Sequence, residues 1–294
     1  PLWSTYYFLG LYVGDHAPRW RSDSSHVLDR YILAKTRDLI DATTTEYEAL
    51  DSPMAAQHLR NFADVLTNWY VRRSRDRFWA GSDTDALDTL YTVLETLCRV
   101  AAPLAPLITE EVWRGITGGE SVHLCDWPKV EDFPADAELV ASMDRVRDVA
   151  SAGLALRKAH SRRVRLPLTT LTIVSEGARD LVGFSDIIAE ELNVAGIECV
   201  DLDDHAIQRF RIGQKLIPNS RALGPRVGGA IQGIIARAKA GEWSIEKGVV
   251  TVGDTELQEG EYTLELTSAS EETAVSFLED GGFVLLDTTV SPEQ

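Results

Sequence analysis

Cysteine is scarce in this 294-residue chain: Cys98, Cys125 and Cys199 are odd in number and far apart. No CxxC pair occurs and the six histidines show no metal-ligand spacing, so a zinc module is excluded and the thiols read as reduced. Long apolar runs are missing too. None approaches the roughly 18 residues a membrane span requires, and no basic-then-apolar leader opens the sequence, so a cytoplasmic protein without a membrane is expected. The chain has no Walker loop, no GxSxG elbow and no ordered Ser-His-Asp set, and the glycines from Gly224 to Gly229 fit neither nucleotide-binding spacing. Positive charge is in short supply: 29 Lys and Arg face 46 Asp and Glu, a net charge of -17. A chain this acidic repels nucleic acid over most of its surface.

Length and a hydrophobic content of 44% suffice for two domains with cores of their own. The first part has helical periodicity. Ser24 or Ser25 caps a helix with apolar positions Leu28, Tyr31, Ile32 and Leu39; Pro53 opens a second. Phe62, Val65, Leu66, Trp69 and Tyr70 continue that one as a single stripe. A third helix runs from Asp83 to Val100, Pro103 and Pro106 break it, and a fourth begins near Ile108. Ser121–Leu124 reads as extended, and 136–160 as a long helix. The period then changes to two. Strands are expected over 164–175 and 197–202, a helix over 187–193, Gly-separated strands from Gly241 onward, and a short helix over 271–278.

Against the acidic background, Asn68-Trp69-Tyr70-Val71-Arg72-Arg73-Ser74-Arg75-Asp76-Arg77-Phe78-Trp79 puts four arginines and four aromatics into twelve residues. This string resembles the NWY-(I/V)-RRSR-x-RFW segment of the isoleucyl-tRNA synthetase family, class I aminoacyl-tRNA synthetases. The string from Ala102 to Trp113 resembles the LAP-x-x-P-x-x-x-EE-x-W signature that isoleucyl, valyl and leucyl enzymes share. Pro218-Asn219 with Leu223-Gly224 and Gly228 resembles their PN-x-x-x-LG-x-x-x-G segment. The aromatic opening, Pro1 to Tyr12, resembles the stretch that leaves the catalytic core; a helix packed in its own core is the other reading. Leu285 to Pro292 resembles an internal segment of the family.

The resemblance implies a mainly α fold: an exit segment over 1–23, an anticodon-binding helical bundle over 24–160, and a small α+β junction domain over 161–294. It implies a monomeric tRNA-binding region whose partners are isoleucine tRNA and the catalytic core of the same polypeptide. The intact ligase would join isoleucine to its tRNA with ATP and Mg²⁺. HxGH and KMSKS motifs are absent, so the fragment itself is expected to hold no catalytic, cofactor or metal residue and to be inactive. The matching region of a valyl-tRNA synthetase and a non-catalytic helical protein-interaction scaffold are the alternatives.

Two groups of cations are candidates for contact with tRNA. Arg72 and Arg75, with Trp79, lie on one face of the arginine helix. Arg73 and Arg77 continue the buried stripe and read either as struts or as groups that dock the core, as do Trp69 and Trp113. The second group is Arg157, Lys158, Arg162, Arg163 and Arg165, with His160, a stretch without any acid. It is either an RNA contact or a solvated helix end whose cations favour the C-terminal dipole. From Gly241 to Gln294 the one base is Lys247, so that surface disfavours RNA.

Overall fold

The structure, a computed structural model, describes residues 1–81, 83–203, 209–210, 212–246, 249–268 and 273–289. The chain is mainly α in its first part and α+β in its second. It divides into two compact units, Pro1–Ala141 and Ser142–Gln294, and the division falls inside a long helix.

The first unit contains α1 (Leu2–Tyr12), α2 (Val27–Glu48), α3 (Ser52–Asp64), α4 (Arg75–Ala80), α5 (Thr84–Ala101) and α6 (Pro106–Thr117). Helix α2 packs on α3 and α5, α6 packs on α5, and α1 lies against α5 and α6. Tyr6 of α1 approaches Gly115 so closely that its hydroxyl leaves no room for a Cβ there. Side chains cap three of these six helix starts: Asp51 and Asp83 accept the Met54 and Ala86 N–H groups, with Pro53 in the first turn of α3, and His26 caps α2. The cap of α2 differs from expectation. His26 takes that role through its imidazole, while the Ser24 hydroxyl is drawn to Asp29 instead. The α3 stripe also does not run on as one α-helix. Val65–Val71 forms a π-helical turn, and the chain breaks at Ser74 before α4. Ser121–Leu124 is not extended: Val122–Leu124 is a 3₁₀ turn, held because the Glu110 carboxylate accepts the Ser121 hydroxyl and the Val122 N–H.

Helix α7 (Ala137–Ala159) spans the division. In the second unit β1 (Leu168–Ser175) pairs in parallel with β2 (Val194–Asp201), the connection passing through α8 (Ser185–Leu192). Residues 164–166, expected within the first strand, form a turn instead. The further strands are β3 (Ile212–Pro218), β4 (Trp243–Glu246), β5 (Val249–Val252), β6 (Thr255–Leu257), β7 (Tyr262–Ser268), β8 (Thr273–Phe277) and β9 (Phe283–Asp287). They form a four-stranded sheet ordered β2-β1-β9-β8, the pair β3-β7 and the meander β4-β5-β6. Residues 273–277 are thus strand, not helix: they pair with β9 in antiparallel register, and Thr, Val and Phe suit that pleated surface. Residues 271–272 lie outside the described residues. Helices α9 (Ser220–Val227) and α10 (Ile231–Lys239) share one apolar core with β3, β5 and β6 through Leu216, Leu223, Ile234, Val250 and Leu257.

Candidate nucleic-acid interface

The arginine-rich segment is anchored by its buried side. Phe62, Val65, Leu66, Trp69 and Tyr70 are all at most 5% exposed. Tyr70 is fully buried, so its hydroxyl requires a partner, and it donates to Asp29 Oδ1 at 2.9 Å. Asp29 is itself buried in the first turn of α2, and Arg77 meets it with both Nη atoms, at 2.7 and 2.8 Å. The same guanidinium donates through Nε to Asp83, the cap of α5, at 2.7 Å, and through Nη1 to His26 Nδ1 at 3.0 Å. One arginine therefore ties the starts of α2 and α5 to α4, with carboxylates where helix N-termini favour them.

The electrostatics reflect this wiring. Burial, then the Asp29 carboxylate, holds the Tyr70 phenol well above its ordinary pKa. Burial, then the Arg77 charge, lowers the His26 imidazole. Burial would raise the Asp83 carboxyl, but the Arg77 and Ala86 hydrogen bonds bring it below the usual range.

The other members of the segment are arranged differently. Arg73 is half-buried, while Arg72 and Arg75 are exposed. The Arg72 Nε donates to the Asn68 carbonyl at 2.8 Å. Arg75 has no polar side-chain partner among the described residues. Trp79 is 64% exposed, with its indole N–H on the Tyr12 hydroxyl at 2.6 Å. Trp69 and Trp113 are core residues, and the Trp113 N–H donates to Glu95 at 3.1 Å.

The second cation group surrounds the end of α7. Arg157, expected among its RNA-facing members, is instead 1% exposed. The cause of this correction is its place on the helix. Met143, Ala150 and Arg157 recur every seven residues, with Val146 and Gly153 between them, so Arg157 continues the buried stripe of α7. Its Nη1 donates to the Arg163 and Leu166 carbonyls, both at 2.9 Å, and Nη2 to the Asn193 carbonyl at 2.8 Å. Burial lowers its pKa from the ordinary value. Lys158, His160, Arg163 and Arg165 are exposed and Arg162 is half-buried. None of these five has a side-chain hydrogen bond or ion pair among the described residues. The heptad spacing was the signal for Arg157; Asn193, 36 residues from Arg157 in sequence, gave none.

Among the described residues no group of three or more His, Cys, Asp or Glu stands together to hold a metal ion, and no helix is long and apolar enough to cross a membrane. An acidic chain that spends some arginines internally and leaves others uncompensated at one turn has the makeup of a polyanion-docking module.

Residues 29–172 match the anticodon-binding domain of tRNA ligase. The match takes in both arginine-rich regions. Along its entire length the chain is similar to part of the isoleucine--tRNA ligases. It is 51% identical over 301 residues to that of Leifsonia xyli subsp. xyli, covering 100% of this chain and 26% of the relative. Against the Nocardia farcinica ligase the identity is 49% over 295 residues, and against the Mycobacterium tuberculosis ligase 50% over 297, each covering 100% of this chain and 28% of the relative. The chain thus spans about a quarter of the length of the curated relatives it matches.

Proposed function

We propose that this chain is the tRNA-docking part of an isoleucine--tRNA ligase that recognises the anticodon stem and loop of isoleucine tRNA. The observation that carries the reading is a set of cations at the end of α7 and on the turn after it, Lys158, Arg162, Arg163 and Arg165. They have no side-chain partner among the described residues, in a chain of net charge -17. In an acidic molecule, such a set focuses a local positive field and steers a polyanion to one place. Arg72, Arg75 and the exposed ring of Trp79 are a second, smaller contact in this reading, with the ring suited to stack on a base. The intact enzyme, a cytoplasmic monomer, would join isoleucine to its tRNA using ATP and Mg²⁺ bound in its catalytic core. That core is the proposed cover for the face of α1. There Trp3, Tyr7 and Leu11, spaced four residues apart, are each more than half exposed beside a groove of about 460 Å³.

The test is a titration of the chain with isoleucine tRNA, an anticodon variant of it and valine tRNA, each at several salt concentrations. Preferential binding of the first, with log K falling by about 0.7–0.9 per phosphate contact for each unit of log salt, is expected. Equal, salt-insensitive binding of all three would overturn the assignment. ATP–pyrophosphate exchange dependent on isoleucine is expected to be absent from the pure chain.

A further inference from the structure

The basic turn is held from beneath by a frame that an ordinary helix end does not require. Helix α7 ends on Ser161, a non-glycine residue at φ 55°, with the Arg162 N–H on the Arg157 carbonyl at 2.7 Å and the Ser161 N–H on that of Lys158 at 3.1 Å. These two bonds already close the helix in the manner of a Schellman motif. Helix α8 likewise ends on a left-handed residue, Asn193 at φ 48°. The Arg157 guanidinium then joins the two ends. It gathers the Arg163 and Leu166 carbonyls from the turn and the Asn193 carbonyl from beyond α8. The Asn193 side chain adds a fourth tether, its Nδ2 donating to the Val164 carbonyl at 2.8 Å. Three carbonyls of the turn, those of residues 163, 164 and 166, are therefore occupied by donors from Arg157 and Asn193.

This arrangement has an electrostatic consequence. A carbonyl carries the negative end of the peptide dipole, and one facing solvent beside an arginine weakens its attraction for an anion. With these carbonyls already accepting hydrogen bonds, the turn presents the side chains of Arg163, Val164 and Arg165, all exposed. Fixing the backbone in advance also removes part of the ordering cost of binding.

We propose that Arg157 and Asn193 are positioning residues that hold the 160–166 turn in the shape that receives an RNA phosphate backbone. The inference rests on the proposed tRNA-docking role and deepens it, since neither residue touches the ligand.

Asn193→Gly tests it with little damage. Glycine adopts the left-handed conformation readily, its carbonyl still accepts from Arg157, and only the tether to Val164 is lost. Salt titrations with isoleucine tRNA should show affinity lower by about five-fold, the equilibrium effect of one neutral hydrogen bond. The salt slope should shrink by about one phosphate contact, roughly 0.7–0.9, while the thermal midpoint stays near wild type. A purely structural tether would lower the midpoint and leave the slope alone, which would overturn the proposal. Arg157→Lys, whose single ammonium cannot span three carbonyls, should reduce the slope further; if it does not fold, Asn193→Gly carries the test. Arg163→Ala with Arg165→Ala separates the two layers. A loss of slope in this double variant but not in Asn193→Gly removes the positioning role and keeps the docking site. No loss in either removes both.

Discussion

Two regions of this molecule are rich in arginine, and they use it in opposite ways. In the segment 68–79, Arg77 is consumed by folding: its donors meet Asp29, Asp83 and His26. In the turn after α7, one arginine is likewise consumed, but the four cations around it meet no acid among the described residues. The difference lies in the neighbourhood and not in the residue. Where a guanidinium lies beside helix N-termini, carboxylates gather there and pair with it. Where it lies at helix C-termini, its natural partners are carbonyls, and these leave the net positive charge uncancelled. An arginine count along the sequence therefore measures cation supply, and the local helix polarity decides how much of it remains for a partner.

The largest effect is expected at Arg77, in the first region. Arg77→Ala leaves Asp29 buried beside Tyr70 without its cation, and losing one partner of a buried pair costs about 3–5 kcal/mol. Urea unfolding of the variant measures this directly. Stability close to wild type would mean that Arg77 is no more engaged by the fold than the exposed cations of the turn.

A smaller effect is expected at His26, in the same network. The His26 Nδ1 accepts from the Leu28 N–H at 3.2 Å as well as from Arg77, so the fold requires that nitrogen unprotonated. Its folded pKa lies below the ordinary value of 6.5. The unfolded chain therefore binds the proton first, and this contribution is complete above pH 6.5 and is lost as pH falls from there toward the folded value. Unfolding curves between about pH 8 and pH 5 should show a decline that His26→Asn reduces. An identical pH dependence in the variant would remove His26 from the network. The smallest effect concerns Arg75, exposed and without a polar side-chain partner among the described residues. Arg75→Ala should change stability by no more than about 0.5 kcal/mol, as calorimetry can verify, while weakening tRNA binding.

Much of this was legible in the residues. The stripe from Phe62 to Tyr70 and the helices it implies are given by spacing alone, as is the change to strands beyond the turn. The π-helical turn at Val65–Val71 was hidden because it preserves the buried set while shifting the phase of the residues after it. Arg157 stood on a heptad with Met143 and Ala150, but charge outweighed spacing in reading it. The strand at Thr273–Phe277 has β-branched and aromatic residues, yet its pairing with β9 left no mark within the segment itself. The partners of Arg77 lie 6 to 51 residues away in sequence, so no window around the arginine motif contains the whole network.

In the proposed function, the cations of the turn are available to RNA whereas Arg77 is held by the fold. The most direct measurement is the salt slope of isoleucine tRNA binding for wild type and for Arg163→Ala with Arg165→Ala, with thermal unfolding of the same samples. In the double variant the slope is expected to be smaller by about two contacts, roughly 1.4–1.8 in log K per log salt, at an unchanged unfolding midpoint. An unchanged slope, or a slope lost only together with the fold, would contradict it.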